Sequence, residues 1–537
     1  MKGSFACTWL QTKFLIRRER KRMLLWIIIS LGFCAMSLGN ILASYPDQKS
    51  LDDIFVTMQM PMIKLLFGNF RYELPNTEIY EFVAETFMIL IVIVVLMNIF
   101  LAVRFSRKQE ENGTTELVLT SAAGRFSPLA AAYIAMSINN IVVGLGSFLI
   151  VAASGFKGGT AKEHLIFALL IFVIGFLFQN IALLASQIAS DSSSATMLSF
   201  IVFGGCFVIR MYLDMERPDA QIFSPLSWGG AGQPYGDNNW MPIITGVGVS
   251  LLLTVLAFLC VKLRDVGAGI LPATKGRAAA SRLLRGPITL RVKTDKKVII
   301  IWTVTMIIFG IMFGTLLDSI GDLAENPLFA KILGAGGGQL ETVLIKSLAA
   351  LLAVMFAVTS VLPGIGISYQ MKKDQFSGSL ELFYPSGISR DRIFLSYQLV
   401  GLIVTIFLSF VSIMSIWFGG KIFEVPNIEG SLYIKSFLNL VPYVSFIFSF
   451  APFLYVFLQK FTGVLYAYIG FSFFTLIIGD MFDLPEWLNK IAIFGLLKKV
   501  PSEEIDWGMW WALTVIALLI FIVSFIGYRR KDIRAVE

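Results

Sequence analysis

The sequence predicts an all-α integral membrane protein with about twelve transmembrane helices, arranged as two parallel repeats of six helices. Three observations support this prediction: the composition, the recurrence of long apolar runs, and a motif that occurs twice at a fixed spacing. Hydrophobic residues make up 56% of the 537 residues, charged residues make up 15%, and the mean hydropathy is +0.76. Because soluble domains carry about 25% charged residues, a chain this apolar requires lipid as its solvent.

Apolar runs of about 20 residues, the length that crosses a hydrocarbon core of about 30 Å, recur along the whole chain. In the first half, the predicted spans are 23–44, 82–105, 129–153, 165–186, 195–214 and 240–263. In the second half, the predicted spans are 298–319, 347–369, 393–417, 436–459, 462–482 and 509–527. This pattern divides the chain into a first half at 1–263, a basic linker at 264–297 and a second half at 298–537.

Lys and Arg concentrate on one side of the predicted spans, the side that holds both termini and residues 264–297. Basic loops mark the cytoplasmic side of a membrane protein, so we expect a multi-pass protein with both termini in the cytoplasm. The net charge of +8 is a consequence of this topology, and it also favours contact with anionic membrane lipid. Nothing in the charge pattern indicates nucleic-acid binding.

A basic amphipathic segment precedes the first span of each half. In the first half, aromatic and aliphatic residues at helical spacing lead into the basic run 17–22; these residues are Phe5, Trp9, Leu10 and Phe14. In the second half, residues 283–293 mix Leu, Ile and Val with Arg and Lys, and Pro287 after Gly286 is a favourable helix start. Such segments indicate helices that lie in the inner headgroup layer, although a plain stop-transfer cluster has the same composition.

The loops after the second and eighth spans share a motif. In the first loop, the shared positions are Gly113, Glu116, Leu117 and Arg125. In the second loop, the same residue types lie 265 residues later, at Gly378, Glu381, Leu382 and Arg390. Glycine is acceptable at a helix N-cap, and the glutamate then falls in the first turn, where a carboxylate suits the helix dipole. The motif predicts a short helix in each loop that lies at the interface or docks into a partner; an ordinary capped loop is the alternative.

The sequence lacks the motifs of nucleotide hydrolysis and of zinc catalysis, such as G-x-x-x-x-G-K-[ST] and H-E-x-x-H. The single histidine, His164, lies at the edge of a predicted span without evident ligand neighbours. Ionisable residues inside the spans fall near the predicted ends, which disfavours an ion-coupled carrier. We therefore expect no catalytic residue, no metal and no cofactor in this chain.

Amides are embedded in the predicted spans more often than charges. They are Asn98, Asn139, Asn140, Gln179, Asn180 and Gln398. Amides at such positions either line a transport path or hydrogen-bond between helices, and the second role is the favoured interpretation. Aromatic residues crowd the tenth and eleventh spans, where they either pack or form a wall for a hydrophobic substrate.

The order of these features resembles the membrane subunit of type-2 ABC exporters. The resemblance rests on a basic amphipathic segment, two spans, a Glu-x-x-Gly-x-x-Glu-Leu loop at 110–117, four more spans, and a terminal Arg-Arg-Lys-Asp at 529–532. Two such units in one chain, with a linker that begins at Leu263, resemble the polyketide-antibiotic (tetronasin-type) exporter permeases of bacterial cytoplasmic membranes. The segment Ser224–Trp228 before the sixth span is similar to that group as well.

The resemblance implies that the two short helices are coupling helices, each seated in a separate ATPase subunit. The eight residues of the repeated motif would then form the ATPase contact, and two ATPase copies per chain would bind ATP and Mg²⁺. The substrate would be a hydrophobic or amphipathic compound, such as an antibiotic, a drug or a lipid-like molecule. The family also has short external half-helices before the last span of each half, for which 215–239 and 483–508 are long enough.

Two other classes of membrane protein remain as alternatives. A secondary carrier of the major facilitator kind also has six plus six spans and a central loop. Such carriers carry a G-x-x-x-D-R-x-G-R-type motif after the second span, and residues 113–125 do not match it. A membrane-embedded acyl- or glycosyltransferase is disfavoured because the spans show no internal histidine and no paired carboxylates.

Overall fold

The computed structural model describes residues 3–45, 47–58, 64, 66–71, 76–156, 159–271, 279, 284–315, 317, 337–382, 387–422, 429–478, 500 and 504–531. Over these residues the chain forms sixteen α helices and a few 3₁₀ turns, with no strand. It divides into two compact units, Met1–Gly276 and Arg277–Glu537, and the division falls inside the predicted linker. Each unit is described by itself below.

The first unit is built from ten α helices within the described part of the chain. They are α1 (Thr8–Ser44), α2 (Gln48–Met58), α3 (Glu78–Phe105), α4 (Arg107–Glu111), α5 (Thr114–Thr120), α6 (Ser127–Ala152), α7 (Ala161–Ile188), α8 (Ser192–Glu216), α9 (Trp228–Gly232) and α10 (Met241–Leu263). The 3₁₀ helices Pro218–Phe223 and Pro225–Ser227 precede α9. Segment 215–239 therefore contains short helices, as the family resemblance implies.

The second unit contributes six α helices to the described residues. They are α11 (Pro287–Thr315), α12 (Gly337–Phe376), α13 (Arg390–Ile422), α14 (Gly430–Phe457), α15 (Gly463–Ile478) and α16 (Trp507–Arg530). The 3₁₀ helices Ser379–Leu382 and Gln459–Phe461 connect them. Most of segment 483–508, for which external half-helices are expected, lies outside the described residues.

Eleven helices in the described ranges are long and apolar enough to cross a membrane, which confirms the all-α membrane fold. Six of them belong to the first unit and match its six predicted spans. Five belong to the second unit, and α15 adds a shorter apolar helix at the predicted span 462–482. The rest of that predicted span lies outside the described residues.

The first helix of each unit is longer than the span that the sequence predicts. Helix α1 has 37 residues, which corresponds to about 55 Å at 1.5 Å per residue. Each predicted amphipathic segment continues into its span without a break over the described residues, so it is the first part of a longer helix. The continuity has a local cause, since neither glycine nor proline occurs between Thr8 and Leu31 or between Ile288 and Phe309. Helix α11 does begin at Pro287, as predicted.

In the first unit, α3 and α7 are the most buried spans, and amides join them to α6. Asn98 and Asn140 exchange two hydrogen bonds of 2.9 Å, and Asn140 also donates to Gln179 at 2.9 Å. All three side chains are almost completely buried. Buried and mutually satisfied amides stabilise contacts between helices, so the interpretation of these residues as interhelical links is confirmed.

In the second unit, small residues bring α12 and α13 close together. A Cβ atom on Gly364 would lie 2.0 Å from Thr405 Oγ1 and 2.6 Å from the carbonyl oxygen of Gly401. The two helix backbones therefore approach where glycine leaves room, a packing mode common in membrane helices. Pro363 precedes this contact inside α12.

Candidate functional site at the repeated loops

The first repeated loop forms the short helix α5, as the sequence predicts. Gly113 precedes it with φ of +70°, a left-handed conformation that glycine adopts without strain. Glu116 lies in the first turn of α5, and its side chain is exposed. Leu117 is 72% exposed, whereas Thr115 points inward and is buried. The outer face of α5 thus presents a carboxylate next to a large apolar side chain.

The second repeated loop forms a 3₁₀ helix, Ser379–Leu382, in place of the α helix of the first loop, and it shares the left-handed glycine. Gly378 has φ of +71°, and its carbonyl accepts a hydrogen bond of 3.0 Å from the backbone N–H of Glu381. Leu380 is buried at the position that corresponds to Thr115, and Glu381 is exposed. Leu382 ends the 3₁₀ helix, but its side chain lies outside the described residues.

Arg125 and Arg390, the last members of the motif, make equivalent contacts inside their units. The Nη2 atom of Arg125 donates to the carbonyl of Arg264 at 2.8 Å. The Nη2 atom of Arg390 donates to the carbonyl of Lys531 at 2.8 Å. Arg264 and Lys531 are the C-cap residues of α10 and α16, where a cation suits the helix dipole. Each arginine therefore ties its loop to the last helix of the unit.

A buried arginine holds the first loop from behind. Arg107 in α4 is 1% exposed, and its guanidinium donates to Glu110 Oε2 at 2.7 Å. It also donates to the carbonyls of Gly267 at 2.7 Å and Ala268 at 3.1 Å, and to the carbonyl of Ser190. Ser190 lies in the tight turn between α7 and α8, so one side chain joins three backbone segments. The predicted motif did not include Arg107.

Glu110 extends this network to the last helix of the first unit. Its carboxylate accepts two hydrogen bonds from the Arg264 guanidinium, one of which is 2.8 Å long. Arg264 also donates to Gln187 Oε1 at 2.7 Å, near the end of α7. Both charged groups are largely shielded from solvent, where charge-assisted bonds of this kind are strong. The loop region, α7 and α10 are therefore joined through two charged side chains.

In the second unit, a lysine takes the position of Arg107. Lys372 lies 265 residues after Arg107. Its Nζ donates to the carbonyl of Gln459 at 2.6 Å and to Thr462 Oγ1 at 3.0 Å. Gln459 and Thr462 lie in the tight connection between α14 and α15, which corresponds to the turn at Ser190. The same kind of link between loop and turn is thus made by a different cation.

The counterpart of the Glu110 and Arg264 pair in the second unit is less charged. Gln375 stands 265 residues after Glu110, and Tyr455 donates to its Oε1 at 2.8 Å. Lys531 donates to the carbonyl of Tyr455 at 2.9 Å. Burial and the nearby Lys372 ammonium lower the pKa of Lys531. At this position the loop and the end of α16 are therefore linked through Tyr455, and a separate salt bridge joins Arg529 of α16 to Asp391, the residue after Arg390.

The N-terminal segment also contacts the first loop. The backbone N–H groups of Gly124 and Phe126 donate to the carbonyls of Ala6 at 3.1 Å and Ser4 at 3.0 Å. A Cβ atom on Gly124 would lie 2.3 Å from the Ser4 carbonyl oxygen, so only glycine fits there. Sequence reasoning missed this contact because it is made by backbone groups far apart in the chain.

A groove separates each loop from the first helix of its unit. In the first unit, the groove holds about 810 Å³ free of protein atoms, and four of its lining residues on α1 are Gln11, Phe14, Leu15 and Arg18. In the second unit, the groove holds about 600 Å³, and the corresponding residues on α11 are Pro287, Leu290, Arg291 and Thr294. The two sets lie 276 residues apart at every position. The duplication therefore extends to the space beside the loops.

Two carboxyl groups lie one helical turn apart near the start of α3. Asn76 donates to Glu81 Oε2 at 2.9 Å, and Tyr45 donates to Glu85 Oε1 at 2.7 Å. Glu81 is 1% exposed. The expectation that the spans contain no paired carboxylates is therefore wrong. Their partners make this pair a link between the end of α1 and the start of α3.

His164 has a structural partner near the start of α7. Its Nδ1 atom lies 3.0 Å from the hydroxyl of Tyr235, and both side chains are buried. Over the described residues, no group of three His, Cys, Asp or Glu side chains is close enough to hold a metal ion.

Comparison with known proteins supports a transport role. The family profile described as "Multidrug efflux system permease Rv1217c, C-terminal domain" matches residues 12–262 and 284–529. The "Multidrug efflux system permease protein Rv1217c" of Mycobacterium tuberculosis is 23% identical over 534 residues, which cover 97% of this chain and 94% of that protein. Together with eleven apolar helices, this match identifies a multi-pass transport subunit. The chain belongs to the multidrug efflux system permease family of Rv1217c.

Proposed function

We propose that this chain is the membrane subunit of an ATP-driven exporter, with ATP hydrolysis supplied by separate ATPase subunits. The observation that carries the proposal is the duplicated loop, in which a left-handed glycine precedes an exposed glutamate in each unit. Each loop is also tied to the last helix of its unit by an arginine. A mere connector between two spans would not require this geometry twice.

The outer face of the first loop has the chemistry of a docking surface. Leu117 is 72% exposed beside the exposed Glu116, outside the apolar spans. Burying a leucine side chain contributes about 1.5–3 kcal/mol, and the helix dipole holds the carboxylate in place. The resemblance to type-2 ABC exporter permeases, including the polyketide-antibiotic exporters, supports an ATPase as the partner. Two loops in one chain support two ATPase copies, which bind the ATP and Mg²⁺.

The network behind the loops offers a route for movement. ATP binding by the partner displaces each loop, and the displacement passes through Arg125 and Arg390 to the last helix of each unit. In the first unit, Glu110 and Arg264 provide a second connection. Movement of the last helices then switches the access of the substrate path from inward to outward.

The proposed substrate is a hydrophobic or amphipathic compound. The relative in Mycobacterium tuberculosis is named as a multidrug efflux permease, and the resemblance to antibiotic exporters implies the same class of molecule. The basic loops support an orientation in the bacterial cytoplasmic membrane with both termini and residues 264–297 in the cytoplasm. Labelling with an impermeant thiol reagent tests this orientation: a cysteine at 50 or 325 should react from outside, and one at 275 should not.

The function is tested by reversing the two exposed carboxylates together. Glu116→Lys with Glu381→Lys removes a docking contact and places a cation at a helix N-terminus, which the dipole disfavours. We expect normal membrane abundance, weakened co-purification of the ATPase, and loss of export. The matched control is Glu429→Lys, an exposed carboxylate just before α14 on the opposite side of the second unit. Normal export by the double variant at normal abundance would contradict the proposal, as would proton-driven transport by the purified chain alone.

A further inference from the structure

A second groove in the first unit opens between α1, the end of α3 with α4, and the start of α8. It holds about 770 Å³ free of protein atoms. Its lining combines cations and hydroxyls with aromatic and aliphatic side chains: Arg22, Trp26, Phe100, Leu101, Val103, Arg104, Lys108, Ser192, Ser193 and Thr196. We call it the headgroup groove. The repeated-loop site does not include it, although Lys108 lies in α4 beside that site.

The polar wall of the headgroup groove carries excess positive charge. Arg22 and Arg104 contact the same carboxylate, Glu19, at 2.5 and 2.8 Å, and Arg18 contacts it at 3.3 Å. Glu19 is only 4% exposed, whereas the side chains of Arg22 and Arg104 are 53% and 37% exposed. Three guanidinium groups share one buried carboxylate, so the cluster carries a net charge of +2; Arg22 and Arg104 line the headgroup groove, whereas Arg18 lines the groove beside the first repeated loop.

The remaining polar groups of the wall are arranged around the start of α8. Lys108 pairs with Glu111 at 2.7 Å. The Glu111 carboxylate also accepts hydrogen bonds from the backbone N–H and the hydroxyl of Ser192, so it is occupied by capping α8. The next hydroxyl, that of Ser193, is exposed at the groove. The carboxylates Glu19 and Glu111 are therefore both engaged, and Arg22 and Arg104 share a single carboxylate at the groove.

The other wall of the groove is apolar and faces the bilayer. Trp26 stacks on Phe100 with ring centroids 6.2 Å apart, and Phe100 meets Phe200 edge-on at 5.7 Å. Next to Trp26 on α1, the large aliphatic side chains Leu25 and Ile28 are more than half exposed. Arginines at the end of an apolar span, with a tryptophan beside them, mark the depth of the lipid headgroups.

We propose that the headgroup groove binds an anionic glycerophospholipid of the surrounding bilayer. Arg22 and Arg104 meet the phosphate, since guanidinium groups present planar pairs of donors that match phosphate oxygens. Ser193 supplies a further donor, and an acyl chain follows Trp26 and Phe100. The cationic wall continues directly into an apolar wall. A soluble anion would contact only the cationic wall, whereas an amphiphile contacts both, so the occupant is an amphiphile. This site is independent of the energy source of transport.

The second unit provides an internal control for this proposal. Trp302 occupies the position of Trp26, 276 residues later. The positions of Arg22 and Arg104 are taken by Val298 and Tyr369. The cationic wall is therefore a property of the first unit alone, at positions where the two units otherwise correspond.

Lipid with brominated acyl chains tests the proposal, because bromine quenches tryptophan fluorescence on contact. The full chain is reconstituted into phosphatidylcholine vesicles that contain brominated phosphatidylglycerol, or into brominated phosphatidylcholine alone. The Trp26 contribution is obtained by comparison with Trp26→Phe, and the Trp302 contribution with Trp302→Phe. We expect Trp26 to be quenched at lower mole fractions of brominated phosphatidylglycerol than Trp302, with no such difference for brominated phosphatidylcholine. Equal behaviour of the two tryptophans in both lipids would overturn the proposal.

Charge variants sharpen the test. Arg22→Gln with Arg104→Gln should weaken the phosphatidylglycerol preference about fivefold per removed cation, since each basic residue near a membrane surface contributes about 1 kcal/mol. The matched control is Lys296→Gln with Lys297→Gln, which removes two exposed cations from α11 in the second unit and should leave the Trp26 response unchanged. An equal loss in the control would show a general surface effect and refute the groove.

A further variant of the headgroup groove leaves the Glu19 cluster intact, so it keeps the proposal testable if the double arginine variant does not fold. Ser193→Glu adds a carboxylate in the first turn of α8, a position that the helix dipole tolerates, and it repels a phosphate. We expect a loss of phosphatidylglycerol preference of about fivefold at normal abundance. An unchanged preference would contradict the proposal. If inorganic phosphate relieves the quenching of Trp26 in detergent, the occupant of the groove is a free anion and the lipid proposal is wrong.

Discussion

The two units make the same links behind their repeated loops with different side chains. In the first unit, Arg107 reaches the turn at Ser190; in the second unit, Lys372 reaches the corresponding turn at Gln459. The first unit ties its last helix through a salt bridge to Glu110, and the second unit does so through Tyr455. The comparison teaches that the positions to be joined are common to both units, whereas the chemistry of joining them is not.

The cores of the units differ in the same way. The first unit joins its central helices by a ladder of three buried amides, whereas the second unit joins them by a hydrogen bond to a buried amide, from Ser368 to Gln398 at 2.6 Å, and by a close backbone approach at Gly364 and Gly401. Hydrogen bonds fix the relative rotation of helices, whereas glycine contacts fix mainly their distance. We therefore expect the first unit to respond more strongly to loss of a polar group.

The two units should differ most in the free energy of unfolding that they lose when the cation behind each loop is removed. Arg107→Leu removes a donor from Glu110 and from three carbonyls at a site that is 1% exposed, and Arg264 still donates to Glu110 and to the carbonyl of Ala268. Breaking a buried ionic contact on one side costs about 3–5 kcal/mol, and because the Arg264 contact remains we expect a loss at the lower end of this range, about 3 kcal/mol. Lys372→Leu removes a donor from the Gln459 carbonyl and from the Thr462 hydroxyl, which still contact each other at 3.4 Å, and should cost about 1 kcal/mol. The free energy of unfolding in mixed micelles measures both, and an equal loss for the two variants would show that the links are equivalent.

The difference between the cores of the two units is tested at Asn140 and Thr405, which occupy corresponding positions in the two units. Asn140→Leu removes the shared partner of Asn98 and Gln179, and we expect a loss of about 1–2 kcal/mol in the same unfolding assay. Thr405→Val lies 265 residues later; it keeps the side-chain shape, and its hydroxyl has no hydrogen-bond partner among the described residues. It should therefore be neutral to within about 0.5 kcal/mol. A larger effect of Thr405→Val than of Asn140→Leu would reverse the comparison.

Truncation of Arg125 and Arg390 should lower the free energy of unfolding by smaller amounts, and the loss should be greater for Arg390. Arg125→Ala and Arg390→Ala each remove a bond to the C-cap carbonyl of a last helix, worth about 1 kcal/mol. Arg390 also lies over the Tyr528 ring at 5.6 Å from its centroid, so its removal should cost about 0.5–1 kcal/mol more. Thermal unfolding of the two variants measures the order, and an equal or greater loss for Arg125→Ala would show that the ring contact is unimportant.

The smallest expected effect concerns the contact of the N-terminal segment with the first repeated loop, whose counterpart in the second unit lies outside the described residues. Gly124→Ala forces the Ser4 carbonyl away from a Cβ atom that would otherwise lie at 2.3 Å. The position that corresponds to Gly124 in the second unit is Ser389, where a side chain is tolerated. In the Gly124→Ala variant we expect faster amide hydrogen exchange at positions 124 and 126, with little change in the free energy of global unfolding. Unchanged exchange at those two amides would show that the contact does not protect them.

The sequence predicts the parts of this protein that depend on local pattern. The spans follow from hydropathy, and the short helices after Gly113 and Gly378 follow from a short motif with one offset, whereas the motif does not predict the left-handed conformation of the two glycines. The contacts of Arg107 could not be predicted, because its acceptors are backbone carbonyls 83, 160 and 161 residues away. Backbone acceptors have no residue signature, so a buried arginine in a loop is indistinguishable in sequence from a solvated one.

The amide ladder of the first unit has a consequence for biogenesis. Asn98 enters the membrane with the second span, before the chain that carries Asn140 and Gln179 has been inserted. An amide in lipid without a partner is unfavourable, so Asn98 is first paired when Asn140 arrives with the third span, and the ladder is complete only when Gln179 arrives with the fourth span. Until then, the half-made unit exposes polar groups that membrane chaperones and proteases can recognise. Correct insertion of four spans is thus the first point at which the cell can distinguish a viable copy of this permease from a defective one.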